Sequence, residues 1–254
     1  MPPVRTTKKP STAKLSTNPL DHPTLRTTAT HIFFHGGLLS QWHPCPTPFT
    51  GATALSYTLP KLVALNIPHP PATAVSTRLI RVFPFNRGEQ WMMALKAWLF
   101  ERSPDSLAES EAPLTDAELQ SLKTEMLRPT SPSEPARKEL WESTMCAIMR
   151  SNVPRVQKAL GRRAKGFREE VWREACMPVV VGGCVARASV DSALKRVYLA
   201  AEQRTFVEGS PRDRIWGVGL KWDSSAIEDE KNWKGMNRLG VCHGMAAEVV
   251  RQGQ

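Results

Sequence analysis

The stretch GEQWMMALKAWLFER, residues 88–102, has no Pro, and no Gly after Gly88, and reads as a helix. Spaced at roughly 100° per residue, Trp91, Leu95 and Trp98 fall on one side, with Met92, Met93, Leu99 and Phe100 round the other. A helix that is apolar nearly all the way round is expected to be buried. Downstream, residues 103–137 are acidic and rich in Ser and Pro, which reads as a surface insertion. Within it a short helix is expected from Asp116 to Leu127, with Thr115 as its N-cap. Further helical blocks are expected over 136–149, 154–160, 166–176 and 190–203, and Val179 to Val181 before Gly182-Gly183 suggest a short strand or buried end. TFVEGSPRDRIWGVGLKWDSS, residues 205–225, reads as strand and loop before a final helix from Arg238 to Val250. The fold class expected is α+β, mainly helical, a single compact domain with small strands.

Upstream, HIFFHGGLLSQWHPCPTPFT (31–50) reads as a short strand, a turn at Gly36-Gly37 and a Pro-rich loop. Residues 52–82 show no clear period and no carboxylate, and His69-Pro70-Pro71 at their centre would break a helix or a central strand. They read as an anomalous insertion without structural role, of the kind a retained intron would supply. Residues 1–30 read as a disordered basic tail, because Arg5, Lys8, Lys9, Lys14 and Arg26 face only Asp21. The domain proper is expected over 31–250.

With 254 residues and 41% hydrophobic content, one domain with decorations is the natural expectation. The net charge of +10 would concentrate a phosphorylated or polyanionic ligand near the surface. No apolar run approaches the roughly 18 residues of a membrane span. No membrane association is expected, and an intracellular protein, cytoplasmic or nuclear, is. The five cysteines are scattered without a C-x-x-C pair, which points to free buried thiols and to neither a disulfide framework nor a zinc site. The histidines form no ligand pattern, so no metal and no cofactor are expected. Eight tryptophans among 34 basic residues raise nucleic-acid binding as an alternative, weakened because most of the indoles fall in helices at core-like positions.

Glu89 and Lys96 lie two turns apart on one stripe of the 88–102 helix, among Met92, Met93 and Phe100. Sunk there, an unpaired charge would shift its pKa and become a candidate acid or base. By themselves they read more simply: Glu89 exposed in a first turn where the helix dipole favours it, and Lys96 reaching out to water. Asp213 reads locally as an Asx turn. Gly217, Gly219 and Gly235 could bring backbone N–H groups to a phosphate, with the helix after Asn237 presenting its N-terminus, but turn glycines are the simpler account.

Taken in order, FFHGGLLSQWHPCP, EQWMMALKAWLF (89–100), LGRRAKGF (160–167) followed by Trp172, TFVEGSPRDRIWGVGL (205–220) and WKGMNRLG (233–240) resemble the NADAR (YbiA-like) family. The resemblance spans about residues 31–250 and rests on the combination E-Q-x-M-M-x-x-K-A, S-P-x-D-x-x-W-G-x-G and W-x-G-x-N-x-L-G. It implies a compact domain that hydrolyses the bond between a base or amine and ribose C1, in ADP-ribosylated guanine or in riboflavin-pathway ribotides. Glu89, Trp172 and Asp213 resemble the family's active-site residues, and Lys96 the lysine beside them. Glu89 is then expected as general acid/base and Asp213 as electrostatic partner or water activator. Trp172 would stack on base or sugar, and Lys96 would hold a phosphate or hydroxyl or react as an amine. Trp216, Gly217, Gly219, Gly235 and Asn237 would line the substrate. The partner expected is a small-molecule ribotide or ADP-ribosyl compound, extending to ADP-ribosylated nucleic acid. A module that binds ADP-ribose without turnover is the nearest alternative. The text departs from the family at Arg187-Ala188-Ser189-Val190-Asp191, where K-F-x-Q-N is usual, and in the final helix LGVCHGMAAEVV.

Overall fold

In the structure, a computed structural model that describes residues 18–101 and 114–253, the strands are β1 (Leu25–Thr27), β2 (His31–Phe34), β3 (Phe49–Thr50), β4 (Pro84–Phe85) and β5 (Thr205–Glu208). The helices are α1 (Gly51–Ala64), α2 (Val75–Val82), α3 (Gly88–Phe100), α4 (Asp116–Met126), α5 (Pro135–Glu142), α6 (Thr144–Arg150), α7 (Pro154–Gly161), α8 (Glu169–Val190), α9 (Ser192–Ala200) and α10 (Arg238–Gln252). This is the mainly helical α+β architecture expected. Residues 1–17 of the expected tail, 102 at the end of the expected helix and 103–113 of the expected insertion lie outside the described residues. Among those described, no single helix is long and apolar enough to cross a membrane.

The sheet runs β1-β2-β5, with β2 antiparallel to β1 and parallel to β5, so that Phe34 stands opposite Glu208. Because β2 and β5 run the same way, their C-terminal ends open on one edge, and that edge carries the candidate site. β1 corrects the expectation of a disordered tail up to residue 30. Leu20 and Leu25 reach the core, and the Arg26 guanidinium lies 4.3 Å over the Phe33 ring while donating to the carbonyls of Trp222 and Ser224. A charge count over the tail could not register these partners, which come from 196 and 198 residues further along.

Residues 52–82 are the larger correction, for they form most of α1 and all of α2. Ala54, Leu55, Thr58 and Leu62 are fully buried at helical spacing, a period blurred in the sequence by the apolar Tyr57, Leu59, Val63 and Leu65 on other faces. Pro60 sits inside α1, but both it and Ser56, whose carbonyl it leaves without its helical partner, are exposed, so the break in the ladder falls on the solvent side of the helix. His69-Pro70-Pro71 does break the helix, and falls in the connection to α2. There His69 stacks on Trp98 at 5.9 Å, and Thr77 of α2 accepts from Trp98 Nε1 at 3.0 Å.

The expected short strand at Val179 to Val181 is instead the middle of α8, a 22-residue helix. Gly182 and Gly183 make no turn there; they let neighbouring helices approach. A Cβ on Gly182 would lie 2.7 Å from the Ala54 carbonyl oxygen, and one on Gly183 would lie 2.5 Å from Trp91 Cδ1. Trp91 Nε1 donates to the Val179 carbonyl at 2.7 Å, tying α3 to the same turn. We expect Gly183→Ala to lower the denaturant midpoint at constant m value, by the roughly 1–3 kcal/mol typical of overpacking. An unchanged midpoint would mean that α3 and α8 have room to spare.

Elsewhere the expected elements shift by their caps. Thr115 makes a full capping box with Glu118 at the head of α4, as its position suggested. The block expected over 136–149 divides at Ser143, which caps α6, and the one expected over 190–203 begins after Asp191, which caps α9 where the chain turns by 112°. All five cysteines are free and buried. Of the eight tryptophans only Trp91, Trp98, Trp141 and Trp172 lie in helices, and only the first two of those are fully buried, so the expectation that most sit at core-like helical positions does not hold.

Candidate active site

Glu89, in the first turn of α3, is only 3% exposed, against the simpler expectation of an acid facing water. What covers it is the loop after β2. Gln41 O accepts the Glu89 backbone N–H at 2.8 Å, and Gly88 permits the approach, since a Cβ there would fall 1.9 Å from Gln41 Oε1. The loop is clamped from below by Arg187, fully buried in α8, which donates to the carbonyls of Leu38 and Ser40 at 2.9 and 3.2 Å. The text that departs from the family at 187–191 is thus spent on holding this loop and on capping α9. The loop in turn brings the Trp42 indole to the Glu89 carboxylate.

Burial pushes the Glu89 carboxyl up to about 7, against the pull of Lys158, the Trp42 hydrogen bond and Arg162, and with a further push from Asp213. Its Oε1 is buried without a hydrogen-bond partner. An acid poised near neutrality with an unused oxygen is equipped to exchange a proton with a ligand.

Asp213 lies in the loop after β5, and its Oδ1 accepts from the N–H groups of Ile215 and Trp216 at 3.0 and 2.8 Å. The Asx turn expected there exists, and it also brings the carboxylate within electrostatic reach of Glu89. Lys96 sits further along α3, half-buried, with Nζ 3.9 Å from the centre of the Phe167 ring and 5.8 Å from that of Trp172. Burial, and then Arg162, hold its pKa below the usual lysine value. Arg162 bears on both Lys96 and Glu89, so these two and Trp172 belong to one neighbourhood.

Asn237 and the glycines expected at the site have structural roles as well. Asn237, buried and left-handed at φ 51°, accepts from Glu208 N at 3.0 Å and donates to the Phe206 carbonyl at 2.8 Å, so its amide is occupied in fixing β5. The glycines let two loops meet: a Cβ on Gly235 would lie 2.2 Å from the Gly217 carbonyl oxygen, and Gly219 has φ +72°. The first amides of α10, Arg238 and Leu239, already donate to the carbonyls of Ile215 and Trp216. The first two amides of the helix after Asn237 are therefore engaged by backbone carbonyls.

Sequence reasoning missed Trp42, Lys158, Arg162 and, above all, Glu208. This last residue of β5 is 7% exposed, its carboxyl raised by burial and held down by His35, whose Nδ1 is 3.1 Å from Oε1. Asp213 raises Glu208 as it raises Glu89, so three carboxylates share one region. The one signal available was an acid ending the apolar run Thr205-Phe206-Val207.

Comparison with known proteins bears mainly on the C-terminal half of the chain. The NADAR domain profile matches residues 136–248. Protein irg-1 of Caenorhabditis elegans is 32% identical over 95 residues, 37% of this chain and 45% of its own length. An N-glycosidase of Acanthamoeba polyphaga mimivirus is 35% identical over 83 residues, 33% of this chain and 49% of its own length. The chain thus spans about half the length of each of these relatives. The matched profile contains Trp172, Glu208 and Asp213, while Glu89, Lys96 and Trp42 reach them from outside it.

Proposed function

We propose that this chain, whose residues 136–248 match the NADAR domain profile, is an N-glycosidase, hydrolysing the bond between a base or amine and ribose C1. The substrate class we propose is ADP-ribosylated guanine, free or in nucleic acid, or a riboflavin-pathway ribotide. The observation that carries this reading is Glu89: nearly inaccessible, raised to about 7, with an unpartnered oxygen and with Asp213 in electrostatic reach.

In such a cleavage the C1–N bond breaks with its electron pair on nitrogen, which takes up a proton, while water adds to C1 and loses one. The sugar passes through an oxocarbenium-like state that nearby carboxylate charge stabilises. Asp213 supplies that charge, and Glu89 moves a proton, since near neutrality both of its forms are populated. Lys158 and Arg162 offer positive charge to the phosphates of a ribotide. Trp172, packed edge-on to Phe100 at 6.5 Å, offers a ring for stacking.

The test is incubation with ADP-ribosylated guanosine DNA and with pyrimidine ribotides, followed by mass spectrometry. Release of ADP-ribose or ribose phosphate is expected. ADP-ribose bound at equilibrium with no product from either substrate would leave a binding module and remove the reaction.

A further inference from the structure

We infer that His35, oriented by Glu208, is a second proton-handling group of this site, the one that protonates the departing nitrogen. The inference rests on the N-glycosidase reading. The parallel pairing of β2 with β5 sets His35, the residue after β2, beside the last residue of β5. Across that register the imidazole Nδ1 meets Glu208 Oε1 at 3.1 Å. The two ends of the pair differ in exposure: the Glu208 side chain is 10% exposed and that of His35 50%. The carboxylate is thus the buried orienting partner, and the imidazole, with its Nε2 edge, is the part that can reach a ligand. Beside it the chain turns through Gly36 at φ +73°, where a Cβ would meet nothing within 4 Å, so the residue next to His35 faces open space.

Glu208 is a costly way to end a strand. Asn237 already holds the backbone there, and a buried acid in the field of Asp213 is harder to keep ionised than a neutral amide would be to bury. Its placement makes sense if it keeps the imidazole cationic. Glu208 is the charged group that bears on His35, and His35 and Asp213 are those that bear on Glu208. The hydrogen bond to Glu208 raises the His35 pKa above 6.5. Proton traffic then balances: the imidazolium gives its Nε2 proton to the leaving nitrogen, Glu89 takes one from the attacking water, and solvent returns both groups to their starting forms.

The experiment is the pH profile of kcat/KM for product release, for the wild type, His35→Gln and Glu208→Gln, with the His35 ring titrated by NMR. His35→Gln is expected to lower the rate about 100-fold and to erase the fall in rate at alkaline pH. Glu208→Gln is expected to move that fall, and the NMR midpoint of His35, to lower pH together. His35 is half-exposed, so its variants should melt like the wild type, and His35→Asn serves as a second substitution if the Gln variant does not. Wild-type turnover that survives His35→Gln with its alkaline limb in place overturns the inference and leaves the reaction standing. A wild type that releases no product fails the N-glycosidase reading itself, and the inference with it.

Discussion

Glu89→Gln is expected to lower kcat by about 10²–10⁴-fold while raising the melting temperature at pH 8. Both effects come from one fact, that this carboxyl is buried and raised from the ordinary 4.5 to about 7. Between those values the folded state holds a proton that the unfolded chain has released. Stability is therefore lost as pH rises through that window, and above it the full penalty, on the order of 3 kcal/mol, is present. Glutamine keeps the shape and carries no charge to desolvate, so the penalty disappears, and with it the proton exchange. At pH 4 wild type and variant should melt almost alike, because Glu89 is then protonated in both states. Thermal melts at the two pH values, beside single-turnover assays, check the pair of effects. A variant that keeps its turnover, or one that melts lower at pH 8, would show that Glu89 is an ordinary structural acid.

Deleting residues 52–82 and closing the gap with a short flexible linker is expected to abolish cooperative folding. The segment contributes Leu55, Leu62, Ile67, Val75, Leu79 and Ile80 to the core, each 7% exposed or less. At about 1.5–3 kcal/mol for each buried aliphatic side chain, the loss is on the order of 10 kcal/mol, which rivals the whole stability of a domain. It would also uncover α8 where Gly182 receives α1, and α3 where Trp98 meets Thr77 of α2. Far-UV circular dichroism, dye binding to exposed apolar surface and calorimetry report the outcome. A soluble deletion product with a single sharp transition near the wild-type temperature would show that the segment is dispensable. The prediction matters for function as well, because α3 carries Glu89 and Lys96, and its Trp98 is held by Thr77 and His69 of this segment.

The site was half legible. Glu89 and Asp213 could be named from motif order, and each on its own looked ordinary: an acid in a first helical turn and an Asx turn. The Asx turn is real, yet its carboxylate also acts across space on two buried acids. Asn237 and the glycines sit in equally specific motifs, but they hold loops and the end of β5 together. A motif marks positions where substitution is difficult, and packing constrains a glycine or an asparagine as tightly as a ligand does. Glu208 and His35 went unnoticed because nothing local distinguishes an acid at the end of a short strand. The neighbour that gives it meaning is 173 residues away.

By itself the sequence determined the buried helix that starts at Gly88, the helix capped by Thr115, the final helix from Arg238 and the scattered, unpaired cysteines. These depend on side-chain periodicity and on contacts a few residues long. Only the tertiary structure decided that 52–82 is core, that Val179 to Val181 continue a helix, and that Glu89 is covered by a loop clamped to Arg187. Dehydration is a property of what surrounds a group, and around Glu89 those surroundings come from Gln41, Trp42, Lys158, Arg162 and Asp213. A carboxyl's chemistry near neutral pH is set by that distant company, which no local stretch of the chain records.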